Sequence, residues 1–214
     1  MDHPLFIAFE GLDGSGKSTQ VKRLTEYLLK AGHKVYDTFE PTDSPIGSMI
    51  RKIFKHEMEA DHRTIAALFA ADRLDHLLNK TNGILQKLEE GYTVICDRYY
   101  FSSYAYHGTH MSMDWVIATN SLSAELLRPD INIYIDISPE TSMQRISKGR
   151  NSTELYETME NLVKVKMKYF EAFEKLKDKE NICIINGEQS EEKIGKDILT
   201  KVSKTAGTVR SFDL

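Results

Sequence analysis

Two stretches of the chain carry residue types that handle phosphate. The first is Gly11-Leu12-Asp13-Gly14-Ser15-Gly16-Lys17-Ser18, followed by Thr19. It fits the phosphate-binding loop pattern G-x-x-x-x-G-K-[ST], the P-loop, with an apolar run before it and a helical pattern after it. Glycines let the backbone close around an anion, and successive N–H groups at a helix N-terminus then face it. Lys17 would reach the β- and γ-phosphates of a bound nucleotide, and Ser18 would hold Mg²⁺. The competing explanation is a glycine-rich turn with an incidental lysine. At average glycine usage such a match arises by chance in on the order of one chain in a hundred.

The second stretch is Asp97-Arg98-Tyr99, at the end of another apolar run. An arginine there can grip a phosphate in a two-pronged way, and Asp97 can orient a metal-bound water or hold Arg98. A plain strand-end ion pair is the alternative. Tyr99, Tyr100, Phe101, Tyr104 and Tyr106 follow closely, with Ser102 and Ser103 among them. Some of these rings must simply pack, while one or two can wall a pocket. Phe69 and Arg73 are four apart in a helical pattern and share a face, so a ring and a guanidinium can address one base. On spacing alone, a core phenylalanine and a surface arginine explain that pair better. Arg145, Lys148 and Arg150 fall in or beside a polar break. A basic segment there can close over phosphates, exclude water and stabilise transition-state charge.

These groups need a scaffold. An apolar run at 5–10 and the stretches at 34–39, 93–96, 131–137 and 182–185 read as strands. Helical spacing covers 17–31, 46–54, 64–88 with a kink at Thr81-Asn82-Gly83, 112–127, 140–147, 153–177 and 191–204, with a frayed tail from Thr205. In the 153–177 helix, Met159, Leu162, Val163, Phe170 and Phe173 are expected on one side. Strands alternating with helices imply an α/β fold: a five-stranded parallel sheet with helices on both faces, the P-loop NTPase fold. The expectation is one domain over 1–214, including a short lid around 148–154.

The 214 residues are 41% apolar and 28% charged, with net charge −4. That suits a globular protein and argues against nonspecific binding to nucleic acid or an anionic membrane. Cys96 and Cys183 sit in apolar runs and read as buried thiols. The seven histidines are scattered without metal-ligand spacing. No stretch of about 18 apolar residues occurs. The N-terminus lacks a basic, apolar leader pattern, so a cytoplasmic protein is expected. A guanine-reading Asn-Lys-x-Asp run is absent, which argues against a GTPase.

Taken together, the residues resemble the thymidylate kinase family. The resemblance rests on the P-loop with Asp13, on Leu68-Phe69-Ala70-Ala71-Asp72-Arg73, on Thr153-Glu154-Leu155-Tyr156-Glu157, and above all on the run from Asp97 to Tyr106. That run is similar to the family's D-R-[YH]-x-x-S-x-x-A-[YF] signature. The resemblance implies transfer of the γ-phosphate of ATP to dTMP, with Mg²⁺, by a homodimer. It implies that Phe69 stacks on thymine and Arg73 bonds a thymine carbonyl. Arg98 would hold the acceptor phosphate, with Asp13 placing Arg98 and the metal. Ser103 would face the base edge, Tyr106 would crowd the ribose 2′ position, and Arg145 would lie against adenine. Tyr156 would belong to the segment that closes the lid on the substrate. The family has two designs, with an arginine either in the P-loop or in the lid. Gly14 and Ser15 carry none, so Arg150 points to the bacterial, lid-arginine design. One departure stands out. Family members often carry an arginine beside the Glu-Pro pair after the second strand, and Thr38-Phe39-Glu40-Pro41-Thr42-Asp43 has none. The acceptor phosphate would then rest on Arg98, or Arg51 would reach in. A kinase of another nucleotide or deoxynucleoside, and an ATPase that binds a protein partner, remain as alternatives.

Overall fold

Both faces of the central strands are covered, so their sequences run apolar instead of alternating with polar residues. A computed structural model describes residues 3–149, 156 and 158–209. The strands are β1 (Phe6–Glu10), β2 (Val35–Phe39), β3 (Thr93–Asp97), β4 (Ile131–Asp136) and β5 (Ile182–Asn186). They form one sheet in the order β2-β3-β1-β4-β5, with every pairing parallel. Successive residues of β1 serve opposite faces. Phe6 and Ala8 enter one apolar cluster with Tyr104 and Tyr169, while Leu5, Ile7 and Phe9 enter another with Leu24 and Ile198.

Helix α1 (Lys17–Lys30) springs directly from the P-loop. It buries Val21, Leu24 and Leu28, as the spacing predicts. Next comes α2 (Pro45–Phe54), with Pro45 in its first turn and Ser44 as its cap. The single kinked helix expected over 64–88 is instead two, α3 (His62–Leu78) and α4 (Ile84–Glu89). Asn79 leaves the helical conformation, and its side-chain oxygen accepts the Thr81 N–H at 2.9 Å. A side chain at Gly83 would place Cβ 2.3 Å from the Asn79 carbonyl oxygen, so the break needs glycine.

The aromatic run after β3 forms a further helix, α5 (Tyr100–His107), in which every residue is buried. The helix expected over 112–127 is also divided, into α6 (Met113–Thr119) and α7 (Ser121–Leu126). Asn120 stands at the break, where its amide donates to Val116 O at 2.8 Å and its oxygen accepts from Arg73.

Three helices complete the chain: α8 (Pro139–Gly149), α9 (Met159–Leu176) and α10 (Glu191–Val209). Helix α9 starts after the Thr158 cap. It buries Leu162, Val165, Tyr169, Ala172 and Phe173, whereas Met159, Val163 and Phe170 are exposed. The apolar side anticipated for this helix therefore mixes two faces, because apolar residues occur on both. Helix α10 runs to Val209, into the segment expected to fray from Thr205. Residues 151–155, in the expected lid, lie outside the described residues.

Candidate active site

The register of β1 against β3 pairs Phe9 with Asp97. The loop after β1 and the residues after β3 therefore leave the sheet side by side, at the carboxyl edge where open α/β sheets bind ligands. Arg98 N donates to Phe9 O at 2.8 Å. Arg98 has φ of 74°, the left-handed region, which costs a non-glycine residue about 1–2 kcal/mol. Buried Glu10 supports that turn by accepting Tyr99 N–H at 2.9 Å. Its other oxygen accepts Ser102 Oγ at 2.6 Å and the Tyr169 hydroxyl at 3.0 Å. Burial pushes the Glu10 carboxyl above its usual range, against those bonds and the nearby Arg98 charge.

In the cradle itself, Gly11 has φ of 146°, and a Cβ there would stand 2.8 Å from Ile135 O. Gly14 has φ of 72° and lies beneath α8, with Ser142 O 3.0 Å from where a Cβ would be. Lys17 Nζ donates to Gly11 O (3.1 Å), Leu12 O (2.8 Å) and Ser15 Oγ (3.5 Å). Burial, reinforced by the Arg98 charge, lowers its pKa to about 8 despite Asp97 and Asp13. The Ser18 hydroxyl donates to Asp97 Oδ2 at 2.6 Å. Arg145 donates to Gly14 O at 3.3 Å and Gly187 O at 3.2 Å.

The P-loop from Asp13 through Thr19 lines a cleft of about 1040 Å³ with Asp97, Arg98, Arg145 and Gln189. The side chain of Leu12 is packed into the core. A second pocket, of about 250 Å³, shares Asp13, Phe39 and Arg98 with that cleft. Arg98 bridges them, with Nη2 2.5 Å from Asp13 Oδ1 and Nη1 3.0 Å from Ser102 Oγ. Tyr106 donates to Asp13 Oδ2 at 2.7 Å. Burial alone would raise the Asp13 carboxyl, but Arg98 and Lys17 outweigh it and hold the group below its usual range.

Phe54, Phe69, Tyr106 and Tyr156 give the second pocket its aromatic walls, and Arg51 and Ser103 also line it. The Phe54 ring is 5.8 Å from Phe69 and 5.5 Å from Tyr156. Arg73 lies next to the pocket without lining it. It is fully buried and outside the pocket lining, with Nη2 2.7 Å from Glu40 and a bond to Asn120. The carboxylate and amide of the neighbouring elements hold the guanidinium behind the pocket wall. Arg150 lies outside the described residues.

Sequence spacing missed His107. It lines the pocket one helical turn after Ser103. Burial and the Arg73 charge lower its pKa to about 3, so it is neutral at physiological pH. The buried Ser103 hydroxyl and His107 Nδ1 are both without a protein hydrogen-bond partner. Two such atoms on one face of α5 suit a ligand with a polar edge. The signal was the i,i+4 spacing of two polar residues inside a helix rich in aromatic rings.

A phosphate cradle joined through a shared arginine to a smaller aromatic pocket defines a P-loop kinase that acts on a small acceptor. The thymidylate kinase family model matches residues 9–198. A probable thymidylate kinase of Pyrococcus horikoshii is 39% identical over 203 residues, 92% of this chain and 95% of its own. The thymidylate kinase of Caldicellulosiruptor saccharolyticus is 41% identical over 150 residues, covering 68% and 71%. That of Leptospira borgpetersenii is 33% identical over 169 residues, covering 79% and 81%. The chain belongs to the thymidylate kinase family.

Proposed function

We propose that this chain transfers the γ-phosphate of ATP to dTMP, giving dTDP and ADP. The observation that carries the reading is the sharing of Asp13 and Arg98 between the P-loop cleft and the aromatic pocket. Donor and acceptor phosphates bound in the two spaces would meet at Arg98. The family membership and the names of the relatives point the same way.

The chemistry needs positioning and charge neutralisation more than any covalent intermediate. Gly11, Gly14, Ser15 and Gly16 would let the loop wrap the triphosphate, and Lys17 would carry a fixed positive charge against it. Arg98, oriented by Asp13, would hold the acceptor phosphate in line. Phe69 would stack on the base, Ser103 with His107 would address its edge, and Tyr106 would stand against the sugar. Arg145 would lie along the adenine. Ser18 and Asp97 fit Mg²⁺: two hard oxygen groups, already 2.6 Å apart, open onto the cleft. A bound ion there would neutralise charge on the transferring phosphate.

Arg51 would take the place of the arginine missing after the second strand, a reading supported by its lining the acceptor pocket in company with Arg98. The lid-arginine design is likewise proposed, from the absence of arginine at Gly14 and Ser15 and its presence at Arg150. A homodimer is supported by exposed Leu78, Trp115 and Leu122 on the adjoining α3, α6 and α7. A cytoplasmic setting fits a nucleotide substrate, and among the described residues no helix is long and apolar enough to cross a membrane. The reading is tested by incubating the protein with ATP, Mg²⁺ and dTMP and resolving products by anion-exchange chromatography. Stoichiometric dTDP and ADP are expected; ADP with free phosphate and unchanged dTMP would overturn it.

A further inference from the structure

One carboxylate organises the junction between α2 and α3. Asp72, on α3, is buried. Its Oδ2 accepts the Thr42 N–H at 2.8 Å. Its Oδ1 accepts the Thr42 hydroxyl at 2.6 Å and the Ser44 hydroxyl at 2.8 Å. The Ser44 oxygen in turn caps α2 by accepting Gly47 N–H at 3.0 Å. Helix and loop approach so closely here that a Cβ on Gly47 would lie 1.9 Å from Thr42 O. One turn further along α2, Arg51 donates to Pro41 O at 2.9 Å and to Thr42 O. The carbonyls that orient the Arg51 guanidinium thus belong to the segment that Asp72 pins. Phe69 lies one turn before Asp72 on α3, in the aromatic wall.

We propose that Asp72 is a positioning residue for the acceptor. It holds Arg51 at the substrate phosphate and fixes the span between the phosphate-gripping and base-stacking parts of the pocket. The inference rests on the reading of that pocket as the dTMP site. Asp72 lines neither the cleft nor the pocket, so it acts through the loop. A carboxylate suits this task because its two oxygens accept from three donors at once, one of them a backbone N–H that cannot turn away. Asparagine has the same shape but presents a donor where one oxygen stood.

The test is steady-state kinetics of Asp72→Asn in the full chain. The KM for dTMP should rise about tenfold, as expected for a lost bond to a charged group. The KM for ATP, and kcat at saturating dTMP, should stay within about twofold of wild type. Adding Asp72→Asn to Arg51→Ala should raise the dTMP KM by clearly less than the product of the two single effects, since much of the substitution's effect passes through Arg51. An unchanged dTMP KM, equal losses for both substrates, or full multiplication of the two effects would overturn the proposal. If Asp72→Asn does not fold, Ser44→Ala removes one of the three donors. It should raise the dTMP KM selectively, by about threefold, and no selective rise would refute the idea. Wild-type protein inactive on dTMP would instead overturn the acceptor reading itself.

Discussion

Raising pH should weaken ATP binding through Lys17. In the free protein its pKa is lowered to about 8 from 10.5, by burial and then by Arg98. A bound triphosphate adds several negative charges beside the ammonium and returns its pKa to at least the ordinary value. Below about pH 8 the ammonium is present in both states and affinity is flat. Above that, binding must take up a proton, and affinity falls by up to tenfold per pH unit. Between about pH 7 and pH 9.5 the loss works out at about 30-fold, or roughly 2 kcal/mol. Neighbouring groups do not imitate this. Asp13 is held ionised, Arg98 protonated and Tyr106 neutral across the window. The assay is calorimetric titration with a non-hydrolysable ATP analogue, repeated in buffers of different ionisation enthalpy to count protons. Uptake approaching one proton near pH 9 is expected. Constant affinity with no proton uptake would refute the assignment of a depressed Lys17 to the phosphate site.

Further outcomes follow from the same contacts. Lys17→Met should abolish transfer yet stabilise the unliganded fold at neutral pH. A folded pKa below the unfolded one costs stability below about pH 8, on the order of 3 kcal/mol, and the cost fades as pH rises towards 10.5; thermal unfolding with and without ligand measures both effects. Tyr106→Phe removes one bond to Asp13 and should lower kcat/KM for dTMP about fivefold to tenfold, read by initial rates. Gly47→Ala should lower the unfolding midpoint substantially, because its Cβ would meet backbone rather than a movable side chain; calorimetry decides. Arg150→Ala should reduce kcat much more than ATP affinity, and equal losses would remove its catalytic role.

The sheet was legible because the central strands are short apolar runs ending where the crevice opens, and the P-loop because its glycines and lysine are adjacent in sequence. Asp13 is far in the chain from Arg98 and Tyr106, and the register of β1 on β3 explains their meeting. Arg73 shows where spacing misleads. It shares a helical face with Phe69, yet buried Glu40 and Asn120, from distant segments, draw it behind the wall. Helix α3 also buries Asp72 and His76, polar residues whose burial is settled by partners in β2 and the loop after it, which periodicity cannot register. Asn79 and Asn120 end helices through local side-chain bonds, and Gly83 opens one at a close backbone approach, which an apolar count passes over.

The most direct measurement is a coupled ADP-release assay with ATP, Mg²⁺ and a panel of dTMP, dUMP, UMP and thymidine. The account predicts the highest kcat/KM for dTMP, weaker turnover of dUMP, and near-background rates for UMP and for thymidine, which offers Arg98 no phosphate. Equal rates on UMP and dTMP, or release of ADP regardless of acceptor, would contradict it.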